Sequence, residues 1–154
     1  MNKKLLLAVS LLLNFAFGYS QCAYTGLTSP QVGSDYTFCI DNSNTITTTS
    51  VNAGRYVVVN VVKGFSYTFS VGNVFNGGNN ENLTIFDNSN NFLTFGYASG
   101  GSGASISAWT APFSGKIKIL LSKGICVNDG SPGGALTLTL NSVGNTQDSQ
   151  TAFG

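Results

Sequence analysis

The chain is 154 residues long, enough for one domain, and only 8% of its residues are charged, with seven Lys and Arg against six Asp and Glu. That balance offers no basic surface for nucleic acid, whose phosphates require clustered Lys and Arg. Histidine is absent, which removes Ser-His-Asp catalysis, Cys-His catalysis and His-containing zinc sites together.

Residues 1–20 read as a secretory signal peptide. Lys3 and Lys4 form the charged start, Leu5 to Phe17 the apolar stretch, and Gly18 and Ser20 place small residues for cleavage before Gln21. The apolar run is shorter than the ~20 residues needed to span a bilayer, so the chain is not expected to cross a membrane. Cleavage removes two cations and leaves five Lys and Arg against six Asp and Glu, a net charge of −1. The expected location is outside the cell or on its surface. Residues 21–34 are then a lead-in, 35–143 the folded domain, and 144–154 a polar tail or linker into a following domain.

From Asp35 onward the hydrophobic period is two. Strand candidates run over 36–40, 45–49, 55–62 and 66–71, then 83–86, 92–97, 105–110, 116–121 and 136–140. Tyr67, Phe69 and Val71 alternate with Ser66, Thr68 and Ser70. Ile117, Ile119 and Leu121 oppose Lys116 and Lys118, and Leu136, Leu138 and Leu140 oppose Thr137 and Thr139. Residues 55–62 are β-branched almost throughout, as suits a central strand buried on both faces. Turns are explicit at Val62-Lys63-Gly64-Phe65, at Asp87 to Asn91, at the Gly/Ser run 99–103 and at 128–134. Ile106 and Trp109 are three apart, so both reach the core only if a β-bulge lies at Ser107–Ala108. About eight or nine short strands without a helical period predict an all-β, jelly-roll-like antiparallel β-sandwich.

The chain's three cysteines, Cys22, Cys39 and Cys126, all follow the leader and enter an oxidising compartment. One disulfide and one unpaired thiol are expected. Cys39–Cys126 would close a long loop, Cys22–Cys39 is the local alternative, and a bridge involving Cys126 is favoured. Asp87, with the Asn-rich stretches at Asn80 and Asn88, offers oxygen ligands for calcium, although the same residues are favoured in turns and no dense acidic loop is present. No cofactor is therefore expected. Tyr97 and Phe92, with Phe75 and Tyr24, offer flat amphipathic rings for a sugar, against the competing role of core packing. Glu81 and Asp87 are the nearest acids in one strand region, on a segment with no sign of burial, and do not match a two-carboxylate catalytic pair. The expected ligand-binding residues are Tyr97, Phe92, Asn80 and Asp87, with no catalytic residue and no metal site.

The stretch 54–140 also resembles a β-sandwich module of secreted Bacteroidota-type proteins, similar to the bacterial pre-peptidase C-terminal domain. The resemblance rests on Gly54 to Gly64, Tyr67-Thr68-Phe69, Leu83 to Asp87, Trp109-Thr110-Ala111-Pro112, Ser114-Gly115, Ile117 to Leu121 and Cys126. It implies a non-catalytic accessory domain for adhesion or binding, beside other domains of one chain exported by the type IX route. The partners it suggests are an extracellular glycan or protein surface, with a carbohydrate-binding module as the alternative. In place of the acidic loop that carries calcium in the family stands Gly100-Gly101-Ser102-Gly103.

Overall fold

The computed structural model describes residues 31–39, 44–75, 80–98, 101–124 and 126–144. The expected signal peptide, most of the expected lead-in and the residues from 145 onward lie outside them. Among the described residues there are nine strands and no helix: β1 (Tyr36–Thr37), β2 (Thr45–Val51), β3 (Arg55–Val61), β4 (Ser66–Val71), β5 (Glu81–Asp87), β6 (Phe92–Tyr97), β7 (Ser105–Thr110), β8 (Gly115–Lys123) and β9 (Gly134–Ser142). They form a five-stranded sheet, ordered β1-β3-β8-β5-β6, and a four-stranded sheet, ordered β2-β9-β4-β7. The protein is the all-β sandwich its alternation predicts. Pairing is antiparallel except for β1 beside β3, which is parallel.

The core lies between the sheets and is filled by the apolar phase of each strand. Tyr67, Phe69 and Val71 are buried while their Ser and Thr neighbours are not. Ile117, Ile119 and Leu121 face Leu83 and Ile85 on one sheet, with Leu136, Leu138 and Leu140 on the other, all buried. Each such side chain contributes about 1.5–3 kcal/mol when fully withdrawn from water. Tyr67 places its hydroxyl at the margin, where it accepts a hydrogen bond from Val62 N at 2.9 Å. Burial pushes its phenol above the ordinary value in spite of that bond.

Three local expectations change. Of the strand expected over 36–40, Tyr36–Thr37 forms β1, Phe38 and Cys39 are not in a strand, and residue 40 lies outside the described residues. The run 55–62 ends at Val61, because Val62 swings out and is 44% exposed. Its strand lies between two-residue β1 and β8, so the middle of the sheet is β8. The bulge between Ile106 and Trp109 is present: the register of β4 against β7 shifts between Tyr67 and Phe69, and Ala108 takes φ 51°. Thr68 Oγ1 accepts from Ala108 N at 3.1 Å, which satisfies the amide that the bulge removes from the ladder.

Consecutive strands mostly alternate between sheets, and only β5 and β6 form a hairpin within one. The tight turn at Gly64 (φ 82°), closed by Phe65 N on Val62 O, therefore carries the chain across the sandwich. Beyond β6 the two sheets nearly touch: a Cβ on Gly96 would lie 2.2 Å from Ser105 O of β7. Only glycine allows that approach.

Candidate functional site

All four expected ligand-binding residues fall on or beside the β5–β6 hairpin at the edge of the five-stranded sheet, but at its two ends. Asn80 immediately precedes β5, and its Nδ2 donates to the Tyr97 hydroxyl at 2.6 Å. Asp87 and Phe92 flank the turn at the other end. Six residue steps along β5 separate Glu81 from Asp87, roughly 20 Å at the usual rise.

The outer face of this hairpin is aromatic. Tyr97 is paired with Asn82 and Phe95 with Thr84, so both rings point away from the core, to which Leu83 and Ile85 turn. Tyr97 is 46% exposed and Phe95 37%. Phe92 is half-buried, with its ring 6.4 Å from those of both Phe86 and Phe95. Phe75, the other described aromatic considered for a sugar platform, is a core residue.

Asp87 is committed to its turn. Its Oδ1 accepts from Asn91 N at 2.8 Å and its Oδ2 from Asn91 Nδ2 at 2.7 Å, while Asn90 takes φ 70°. The Asn91 side chain, more than any other group, holds the Asp87 carboxyl below the usual carboxylate range. Asp87, Ser89, Phe113, Ser114 and Lys116 line an open groove of about 500 Å³ at this end of the sandwich. Its rim is stitched by Lys118 Nζ donating to Asn90 Oδ1 at 2.5 Å and by the Lys116–Asp35 ion pair at 2.7 Å. No three His, Cys, Asp or Glu side chains converge as a metal-binding group among the described residues.

Glu81 is not the exposed acid its flanks suggest. It is wholly buried, in phase with Leu83 and Ile85, and its Oε1 accepts from Val74 N at 2.8 Å and Phe75 N at 2.9 Å. Its Oε2 has no hydrogen-bond partner among the described residues. The side chain thus clamps Val74 and Phe75, in the first half of the β4–β5 connection, from inside. Its period-two phase with two core residues was the available signal, and a charged residue at such a position is rarely read as interior. Buried at one end of β5 while Asp87 is tied into a turn at the other, Glu81 cannot act with Asp87 as an acid pair.

Of the cysteines, Cys39 is exposed with a free thiol, which overturns both pairings that used it. Cys126 takes φ 61° in the turn after β8 and is disulfide-bonded. Cys22 lies outside the described residues.

No curated protein matches the chain. Among solved structures it is similar to the pre-peptidase C-terminal domain of a collagenase from Bacillus anthracis, at 19% identity and a TM-score of 0.48, over 74% of this chain and 99% of that one. A family model matches residues 46–145, from β2 to just past β9. The chain thus belongs to the family described as a domain of unknown function, DUF8695.

Proposed function

We propose that this domain is a non-catalytic accessory module of an exported protein, and that it binds an extracellular glycan on the β6 edge of the five-stranded sheet. The observation that carries the reading is the pair of exposed, outward-facing rings of Phe95 and Tyr97, with the Asn80 amide held at the Tyr97 hydroxyl. Alternate residues on a strand lie about 7 Å apart on one face, a spacing that lets two rings meet one extended chain. Apolar ring faces beside amide and hydroxyl groups suit the mixed surface of a sugar. The leader-like residues 1–20 support export, and the missing histidine supports a binding role over catalysis.

The test is retention of the mature protein on insoluble polysaccharides, backed by a glycan array. Retention is expected on at least one polymer, weakened about tenfold by Tyr97→Ala, since a stacked aromatic contributes about 0.5–1.5 kcal/mol. Failure to bind any polymer, retention indifferent to Tyr97→Ala and Phe95→Ala, or hydrolysis of a glycan by the purified domain would each defeat the proposal. Binding to a protein surface in place of any glycan would keep the accessory role and replace the ligand class.

A further inference from the structure

The two exposed rings of β6 belong to a longer row. Thr84 pairs with Phe95 and Phe86 with Phe92, so two steps on β5 oppose three on β6, and Leu93 is the extra residue. That bulge brings Phe92 onto the outward face, which strict alternation would deny it. Its ring lies 6.4 Å from that of Phe95, and Tyr97 follows two residues further on. Phe92, Phe95 and Tyr97 thus stand in single file along the last strand of the five-stranded sheet, over roughly 16 Å at the usual rise. Next to them on the same face, Asn82 and Thr84 of β5 are at most 6% exposed, which leaves β6 as the accessible strip.

The row carries no charge and has no cation beside it. After residue 20 the chain has five cations, Arg55, Lys63, Lys116, Lys118 and Lys123, and none lies on β5, on β6 or in the turn between them. Arg55 begins β3, three places from β6 in the sheet, and Lys63 lies in the turn after β3. Lys116 pairs with Asp35 and Lys123 with Asp129. Lys118 reaches the hairpin only at its turn, where Nζ donates to Asn90 Oδ1 and the Asp87 carboxylate of the same turn offsets its charge.

We infer that the ligand of this edge is a linear chain of neutral sugars lying along β6, one sugar against each of Phe92, Phe95 and Tyr97, and that uronates and sulfated sugars are excluded. This rests on the glycan reading above and adds to it a charge class, a direction and a length. Rings in single file on an edge strand fit an unbranched chain, and each offers a sugar an apolar face. The Tyr97 hydroxyl, which accepts from Asn80 Nδ2 at 2.6 Å, keeps its own proton for a sugar oxygen. A carboxylate or sulfate placed here would lose hydration with no cation to replace it.

The test is calorimetric titration of the mature chain with cello-, xylo- and manno-oligosaccharides of increasing length, and with alginate and chondroitin sulfate oligomers as acidic probes. Affinity for at least one neutral series is expected to rise about tenfold from the disaccharide to the longer chains and then level off. It should change less than about twofold between low and high salt, since no charge pair is there to be screened. Phe92→Leu keeps apolar packing against Phe86 but removes the flat ring, and should erase most of the gain with length. Phe95→Ala, at an exposed position that does not depend on that packing, should weaken the longer chains several-fold. Preference for an acidic probe, affinity that falls steeply with salt, or a disaccharide bound as tightly as the longer chains would overturn this inference; if that binding were still weakened by Tyr97→Ala, the glycan site itself would stand. Binding of no sugar at all would defeat both.

Discussion

Glu81→Ala tests whether a buried carboxylate holds the β4–β5 connection in place. The substitution leaves two backbone donors, Val74 N and Phe75 N, without the Oε1 acceptor they meet at 2.8 and 2.9 Å. Phe75 is buried and Val74 half-buried, so water can replace only part of the loss. A buried donor left unsatisfied costs about 1–3 kcal/mol. Two of them, less the relief of removing a carboxylate whose Oε2 has no partner among the described residues, give about 3 kcal/mol in all. At roughly 4 °C per kcal/mol for a domain of this size, the melting temperature should fall by about 12 °C. Glu81→Gln keeps an amide oxygen where both donors point and should remain within about 1 kcal/mol of the parent. Urea denaturation followed by the fluorescence of Trp109 is the assay. That ring sits 6.4 Å from Tyr67 and 6.1 Å from Phe69, so it reports on the packed sandwich. A Glu81→Ala midpoint within about 0.5 kcal/mol of the parent, or a Gln variant as damaged as the Ala variant, would refute the clamp.

Gly96→Ala forces a Cβ to within 2.2 Å of Ser105 O and should cost about 2–3 kcal/mol, read as a lowered thermal midpoint. An unchanged midpoint would mean that β6 and β7 are not locked together there. Tyr97→Ala should weaken polymer retention about tenfold yet move stability by less than about 0.5 kcal/mol, because the ring is already 46% exposed; loss of both together would mark Tyr97 as structural. Asp35, Asp87 and Asp129 are each held below the ordinary 3.8, chiefly by side-chain hydrogen bonds from Lys116, Asn91 and Ser131 respectively. A depressed folded value means stability present above the unfolded value and lost as pH falls through the folded one. Thermal midpoints should therefore decline below about pH 4, and replacing all three by Asn should flatten that decline. An equal decline in the triple variant would assign it to other groups.

The alternation of Ser66–Val71 and of residues 136–140 is legible because period two records which side of a strand faces the core, and both survive unchanged. The bulge at Ala108 is legible for the same reason: Ile106 and Trp109 break phase, and only an extra residue restores it. What alternation cannot carry is which sheet a strand joins. Val62 to Phe65 has the chemistry of a tight turn whether it closes a hairpin or crosses the sandwich, and here it crosses. The site was half legible in the same way. Asn80, Asp87, Phe92 and Tyr97 all belong to one hairpin, yet only the ladder shows that Asn80 meets Tyr97 and that the turn takes both oxygens of Asp87. The exposure of Phe95 is not legible, because its strand, Phe-Leu-Thr-Phe-Gly-Tyr, is apolar on both faces and hides which ring is outside.

The low charge content has two structural origins, one for each outer face. The four-stranded sheet is wet, and its outward residues form hydroxyl and amide contacts between strands: Thr45 with Thr139 at 3.5 Å, and Asn141 donating to Thr68 at 2.9 Å. Uncharged polar side chains suffice there, because cross-strand hydroxyl pairs stabilise a solvated face without the repulsion of like charges. The five-stranded sheet has few charges for the opposite reason. Its outer face is buried over β3, β8 and β5, where an unpaired Lys or Glu would carry a desolvation cost of several kcal/mol. Two lysines of β8 stand on this phase: Lys116, exposed at the strand's start, pairs with Asp35, while Lys118 has its Nζ 5.7 Å from the Tyr56 ring centre and in reach of Asn90. A single composition thus describes one solvated face and one of low exposure, and the second face carries exposed aromatic rings only at β6, where Phe95 and Tyr97 stand.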